Sequence, residues 1–323
     1  MSSGGNDTGR RLTGGRVDAA TALYIGVIAL LARSSGLYYI LFPELGALGH
    51  DILKRPGGRW ASAPVMLVLT PLLTAFVGTL IARYLPYGIL PVLLDIGCSV
   101  LAIRLLRSPI APAISAGLLP LTLGIHSLWY PPSLLIGTGL LAGIAALRNR
   151  RGAAGPPASP GTPEGADDLV EEPPTDWSWL PFFLVFVLLA YLMGDLTGWR
   201  LVLYPPLIVI GFEAFAHSAA CPWATRPIAL PVACSLTATA GVLCVMLLGA
   251  GPGAAICSIL VGVLVLRVLD LHVPPALAVG LLPFVMPQPG LQFPAAVLLG
   301  TAIETGVFLA WRQFAVARPA QTD

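Results

Sequence analysis

Residues 62–82 read SAPVMLVLTPLLTAFVGTLIA, a run that contains no Asp, Glu, Lys or Arg. A helix needs about 20 predominantly apolar residues to cross the hydrocarbon core of a bilayer, and this run is long enough. In the whole chain 56% of the 323 residues are hydrophobic and 11% are charged, against about 25% charged residues in soluble domains. The run and the composition predict an all-α polytopic membrane protein whose main partner is the lipid bilayer.

Further apolar stretches of similar length surround this run and are separated by short polar or Gly/Pro breaks. The expected membrane segments are residues 17–33, 36–53, 62–82, 87–104, 109–126, 131–147, 178–197, 201–217, 228–248, 253–268, 272–287 and 293–311. Between the two series lies Asn149–Asp176, an acidic, Pro-rich stretch that cannot bury a core and is predicted to be a disordered linker. The chain therefore divides into a polar tail (1–16), a first membrane unit (17–148), the linker (149–177), a second membrane unit (178–312) and a C-terminal tail (313–323).

The two units match each other at a constant spacing of 163 residues. Leucine matches in apolar sequence carry little information, but Trp, Pro, Gly and Arg matches in one register indicate a tandem repeat. The matched pairs are Trp60 and Trp223, Pro64 and Pro227, Gly78 and Gly241, Arg104 and Arg267, Gly117 and Gly280, Pro120 and Pro283, and Gly137 and Gly300.

The number of crossings in each unit decides whether the two units run parallel or inverted. Six crossings in each unit place 15 Lys and Arg residues on the side of the N-terminus and 3 on the other side. If segments 109–126 and 272–287 re-enter instead, the division becomes 11 against 7. Cytoplasmic loops are enriched in Lys and Arg, so we expect twelve segments in the cell membrane with both termini in the cytoplasm. Ten crossings plus two re-entrant segments stay as the alternative, because those two segments are short and interrupted by proline.

Two acids lie near the centres of predicted segments, where a charge costs at least about 2.5 kcal/mol on insertion scales. Asp95 belongs to segment 87–104 and Glu304 to segment 293–311. Each is either a proton- or cation-binding carboxylate on a substrate pathway or a structural hydrogen-bonding group. Neither has an acidic counterpart in the other unit, since Asp95 matches Ser258 and Glu304 matches Leu141.

The remaining titratable residues predict no metal site and no cofactor. Asp51 and Glu213 match across the units but lie near segment ends, where solvated interfacial acids are expected. His126 and His272 have no second ligand at metal-binding spacing, and the five cysteines occur singly in apolar surroundings. A formal net charge of +2 gives no basic field for nucleic acid.

Two segments begin with clustered prolines, and these prolines join the candidates for a substrate pathway. The first begins with Pro109 and Pro112, and the second with His272, Pro274 and Pro275. Proline is favoured at the first position of a helix, and a helix that begins inside a membrane presents free N–H groups that suit a small anion. The alternative is that the prolines only shape kinked helices.

The second unit resembles the HPP family of integral membrane proteins, which is named for a His-Pro-Pro motif. The landmarks are Tyr204-Pro205-Pro206-Leu207, then Cys221-Pro222-Trp223-Ala224, then His272-Val273-Pro274-Pro275-Ala276, and the first unit shows weaker matches at Pro43, Trp60, Pro64 and Pro112. Val273 stands where the motif has His, and Leu277 replaces a Gly. Some members of that family are linked to nitrite transport, so the resemblance implies small-anion transport.

Three functional hypotheses follow from the sequence. The leading one is a small-solute transporter, with a small anion and a coupling proton as partners and a pathway between the two units. The second is a membrane-embedded enzyme that acts on a lipid or isoprenoid, with His50, Asp51 and Glu213 as its polar candidates. The third is a non-catalytic assembly or sensing subunit that docks through the linker.

Overall fold

The computed structural model describes residues 4–151, 163–172, 174 and 176–316. Within these residues the chain forms α-helices joined by short 3-10 helices and loops, and it contains no strand. Seven helices are long and apolar enough to cross a membrane. The structure therefore confirms the prediction of an all-α polytopic membrane protein.

The first unit consists of seven helices. They are α1 (Gly4–Ser35), α2 (Leu45–Lys54), α3 (Arg59–Ser62), α4 (Pro64–Tyr84), α5 (Ile89–Leu106), α6 (Ala113–Leu123) and α7 (Tyr130–Arg150), with a 3-10 helix at Tyr38–Ile40 between α1 and α2. Helix α8 (Pro163–Val170) follows between the units.

The second unit has nearly the same order of elements. Its helices are α9 (Leu180–Thr197), α10 (Pro205–Ala216), α11 (Ala229–Leu248), α12 (Pro252–Val268), α13 (Pro275–Leu281) and α14 (Gln292–Val316). A 3-10 helix at Arg200–Leu203 precedes α10, a second at Pro222–Thr225 takes the place of α3, and a third at Leu282–Phe284 extends α13.

Four of the predicted membrane segments contain only a short helix, which corrects the expected length. Helices α2, α6 and α10 have 10, 11 and 12 residues, and α13 has 7. Proline determines where these four helices begin, because each has a proline just before or in its first turn. These prolines are Pro43, Pro112, Pro205 and Pro274. Twelve residues at 1.5 Å each cover about 18 Å, roughly half of a 30 Å hydrocarbon core.

Contacts at both ends show how the chain runs in the first of these segments, 36–53. Near the start of α7 the rings of Tyr39 and Tyr130 lie 5.4 Å apart, and near its end Arg148 Nη1 lies 3.3 Å from the carbonyl oxygen of Leu53. Residues 39–53 therefore run beside α7 from one end to the other, although only part of this stretch is helical.

The two ends of the bundle are named here by their residues. Arg55 and His272 lie at the linker end, where both contact Asp167 of α8. Arg200 lies at the far end, where its guanidinium stacks 4.9 Å from the ring centre of Tyr87, just after α4.

Glycine contacts hold the long helices against the short ones at matching places in the two units. A Cβ added at Gly78 would lie 1.9 Å from the carbonyl oxygen of Gly117, and one at Gly241 would lie 2.1 Å from that of Gly280. Small residues let membrane helices approach this closely. Gly300 likewise packs against the backbone of Val202. The glycines that match in sequence therefore occupy corresponding helix crossings.

The units also interlock. Helix α1 of the first unit packs along α12 of the second, and a Cβ at Gly26 would lie 2.7 Å from the Cδ1 atom of Ile256. Between the units, α2 packs on α13 and α6 packs on α10. The short helices thus form the middle of the molecule.

Part of the predicted disordered linker is ordered, which is a second correction. Residues 163–170 form α8, which contacts α10 and the 3-10 helix Pro222–Thr225. Val170 is buried, and the acids that suggested disorder are paired with cations from the membrane units. These partners are more than a hundred residues distant in the case of Arg55 and Arg59, so local composition does not reveal them.

Candidate functional site

A small cavity lies between the two units at the linker end, beneath α8. It holds about 30 Å³, room for one or two water molecules. Two landmarks of the second unit, the Cys221-Pro222-Trp223 turn and the start of α13, meet Trp60 of the first unit here. The lining residues are Arg55, Trp60, Asp167, Val170, Glu171, Glu213, Cys221, Pro222, Trp223, His272, Val273, Pro274 and Pro275.

Arg55 is the centre of the charges around this cavity. Its side chain is only 6% exposed, and four carboxylates surround its guanidinium. Asp51 lies 2.7 Å from Nε, Asp168 lies 2.9 Å from Nη1, and Glu171 contacts Nη2. Asp167 lies 3.7 Å from Nε and also accepts a 2.9 Å contact from His272 Nε2. We call these five residues, with Arg55 in the middle, the Arg55 cluster: Arg55, Asp51, Asp167, Asp168 and Glu171.

Acids outnumber the cations in the Arg55 cluster, and the charge balance shapes its titration. Burial alone would lower the pKa of Arg55, but Asp51 and Glu171 outweigh that effect and raise it, so Arg55 stays charged. Burial raises the pKa of Glu171 well above its usual range, Asp51 adds to the rise, and Arg55 opposes it. Burial and Arg55 therefore act on the pKa of Glu171 in opposite directions.

Two further acids extend from the cluster into the middle of the molecule. Glu213, near the end of α10, is half-buried and lies within electrostatic range of Asp51, Asp167 and Glu44. Glu44 is fully buried at the start of α2, and beside Ser115 neither of its oxygens has a well-formed hydrogen bond within the described residues. We call Glu44, Asp51 and Glu213 the interface acids. They bring three carboxylates to the contact between the units.

A hollow opens at each end of the bundle. The linker-end hollow holds about 500 Å³ and includes His50, Lys54, Arg267 and His272. It shares His272 and Pro274 with the small cavity. The far-end hollow holds about 490 Å³ between the end of α6 and the second unit, with Arg200 and Gln292 in its wall.

The predicted proline-rich segments lie on this interface. His272, Pro274 and Pro275 line the small cavity. Pro109 lies on the first unit, where its carbonyl accepts a 2.9 Å hydrogen bond from the indole N–H of Trp60. Pro112 caps the start of α6. Trp60 therefore bonds to one proline-rich segment and lines the cavity together with the other.

Asp95 and Glu304 lie elsewhere, each inside its own unit. Both are fully buried, and within the described residues neither oxygen of Asp95 and only one oxygen of Glu304 has a partner. Asp95 lies at the glycine crossing of α4 with α6, and Glu304 lies beside Thr305 and near Cys221. Neither lines the small cavity or either hollow, so these two acids and the prolines do not share one cavity.

The interfacial acids need a correction in one respect. Asp51 and Glu213 lie towards the linker end, but Asp51 is buried rather than solvated and pairs with Arg55. Of the polar residues considered for an enzyme, Asp51 and Glu213 lie within electrostatic range of each other, whereas His50 pairs with Asp18 at 3.5 Å.

Sequence reasoning missed Glu44, Arg55 and the acids of α8. Glu44 had a readable signal, because it is an acid near the middle of segment 36–53, and the rule that identified Asp95 applies to it. Arg55 follows Asp51 at a helical spacing of four, which predicts an ion pair. The contacts of Asp167, Asp168 and Glu171 had no local signal.

Compared with known proteins, the chain matches no family model, and neither a curated protein nor a solved structure is significantly similar to it. The functional conclusion therefore rests on the geometry of the site.

Proposed function

We propose that this membrane protein is a proton-coupled transporter of a small anion, with its pathway along the contact between the two units. The observation that carries the proposal is the group of interface acids at the contact between the two units. Buried ionisable groups inside a membrane protein are costly and mark ion or proton pathways. Glu44 and Glu213 supply proton-binding groups, Arg55 supplies positive charge for an anion, and His272 supplies a ring N–H donor.

The arrangement of the two units supports this proposal. The matched glycines occupy corresponding crossings, and the helices follow nearly the same order in both units, which favours duplication. Repeated units that enclose a site are common among transporters that alternate between two open states. We further propose that the linker end faces the cytoplasm, because Lys54, Arg55, Arg59 and Arg267 lie there. The similarity to the HPP family remains a prediction that agrees with small-anion transport.

A flux assay tests the proposal. The purified protein is reconstituted into vesicles that contain a pH-sensitive dye, and nitrite, nitrate, acetate and succinate are added with and without a pH gradient. We expect anion-dependent proton movement above that of empty vesicles. Absence of such movement across the whole panel would contradict the proposal.

Variants locate the proton-binding groups. Glu44→Gln and Glu213→Gln keep the size of each side chain and remove its proton affinity, so we expect coupled flux to fall by about tenfold or more. Asp195→Asn is the control, because Asp195 is exposed near the end of α9. Asp95→Asn and Glu304→Gln belong in the same assay, and unchanged flux would remove those two acids from the mechanism.

A further inference from the structure

The cations at the linker end are occupied by carboxylates of the chain itself. Asp168 accepts hydrogen bonds from Arg55 Nη1 at 2.9 Å and from the backbone N–H of Arg59 at 3.3 Å. His272 Nε2 lies 2.9 Å from Asp167 Oδ2. Two further pairs, Arg55 with Glu171 and Arg59 with Glu172, complete the contacts.

The two sets of charges come from different parts of the fold. Arg55 follows α2, Arg59 begins α3, and His272 precedes α13, so the membrane units fix all three basic side chains. The acids that meet them belong to α8 and its next turn, between the units. Basic side chains of the two membrane units therefore bind carboxylates that belong to a single connecting segment, α8 and the turn after it.

We propose that Arg55, Arg59 and His272 form a carboxylate-binding site at the mouth of the small cavity and that α8 is its tethered, competing occupant. The inference deepens the proposed function by naming a carboxylate as the substrate class and α8 as its regulator. The substrate role rests on that function, whereas the competition between α8 and a free carboxylate does not.

The chemistry of the site favours a carboxylate. The planar guanidinium of Arg55 offers several N–H donors in a fixed fork, which fits the two oxygens of a carboxylate, and burial strengthens each contact. His272 adds a second donor on the opposite unit. An occupant joined to the protein at both ends has an effective concentration on the order of millimolar, so a free carboxylate competes only at similar concentrations.

Cys221 reports whether α8 is in place. Its thiol is 7% exposed and lines the same cavity as Asp167, Val170 and Glu171 of the α8 segment. Burial raises the pKa of this thiol, which keeps it unreactive while the cavity is covered. Displacement of α8 uncovers Cys221 towards the linker-end hollow.

The first experiment measures how fast a membrane-impermeant maleimide labels Cys221, with the purified full chain in detergent and with peptide mass mapping. The triple variant D167N/D168N/E171Q removes three carboxylates from the site, and we expect Cys221 to be labelled about tenfold faster or more. Asp168→Lys, a single change beside Arg55, should act in the same direction. Asp270→Asn is the matched control, because it removes an exposed ion pair with Arg226 at the same end and leaves α8 unchanged.

The second experiment tests the ligand. Succinate at millimolar concentration should restore slow labelling of Cys221 in the triple variant, and sodium chloride at equal ionic strength should not. Adding Arg55→Gln to the triple variant should abolish the protection.

Unchanged labelling in both α8 variants, with elution and melting like those of the native chain, would overturn the covering role of α8. Equal protection by chloride would overturn the carboxylate site. Protection by succinate without any flux would refute the proposed function and leave this inference standing.

Discussion

In the first unit Asp95 lies beside the contact between Gly78 and Gly117, whereas in the second unit Ser258 occupies the corresponding position beside Gly280. Ser258 donates a 2.8 Å hydrogen bond to the carbonyl oxygen of Gly280, and Asp95 has no such partner within the described residues. The glycine crossing is the same in both units, and the polar group next to it is not. The comparison separates residues that build the framework from residues that distinguish one unit from the other.

The glycine crossings should give the largest effect. Gly241→Ala would place a Cβ about 2 Å from the backbone of Gly280, which cannot move aside as a flexible side chain would. We therefore expect the free energy of unfolding to fall by about 3 kcal/mol or more. Gly78→Ala should behave alike in the first unit. Gly139→Ala is the control, because its Cβ would meet nothing within 4 Å.

Melting of the purified variants in detergent measures these changes. If Gly241→Ala melts like Gly139→Ala, the two crossings are not the shared framework of the units.

The exchange Asp95→Ser tests the difference between the units more finely. Serine at this position can donate to Gly117 as Ser258 does to Gly280, and the change removes a buried carboxyl group without a partner. We expect stability to be unchanged or to rise by about 1 kcal/mol. A clear fall in melting temperature would show that Asp95 has a stabilising role that Ser258 does not share.

The smallest effect concerns the residues that end α5 and α12. Arg107 and Asp270 occupy matching positions and both have positive φ, at 48° and 49°. This left-handed conformation suits glycine, so Arg107→Gly and Asp270→Gly should each raise stability by about 0.5–1 kcal/mol. Arg107→Ala, which keeps the Cβ, should show no gain. Chemical unfolding of the four proteins can resolve the difference, and equal values for Arg107→Gly and Arg107→Ala would exclude backbone strain as the cause.

Sequence patterns were sufficient for the framework because its signals are local and periodic. Long apolar runs predicted the membrane helices, and the glycines that match in sequence lie at the helix crossings. The short helices were harder to predict, since an apolar segment of spanning length does not reveal where proline will shorten its helix. The Pro109–Pro112 and Pro274–Pro275 clusters carried that information only in part.

The site was less predictable, because its contacts join distant parts of the chain. Arg55 and Glu171 are 116 residues apart, and only the fold brings them together. The composition of the linker correctly indicated that it could not bury a core of its own, but α8 is held by a partner surface. Glu44 is different, because an acid in the middle of the predicted segment 36–53 could have been identified as a candidate site residue from the sequence.

The interlocking of α1 with α12 has a consequence for biosynthesis. Helix α1 is synthesised long before Pro252–Val268, the helix along which it packs. Until α12 has been translated, the face of α1 that includes Gly26 has lipid or the insertion machinery in the place of Ile256. The first unit therefore cannot complete its packing before the second is made, and a ribosome that stalls between them would leave this face of α1 open to quality-control proteases.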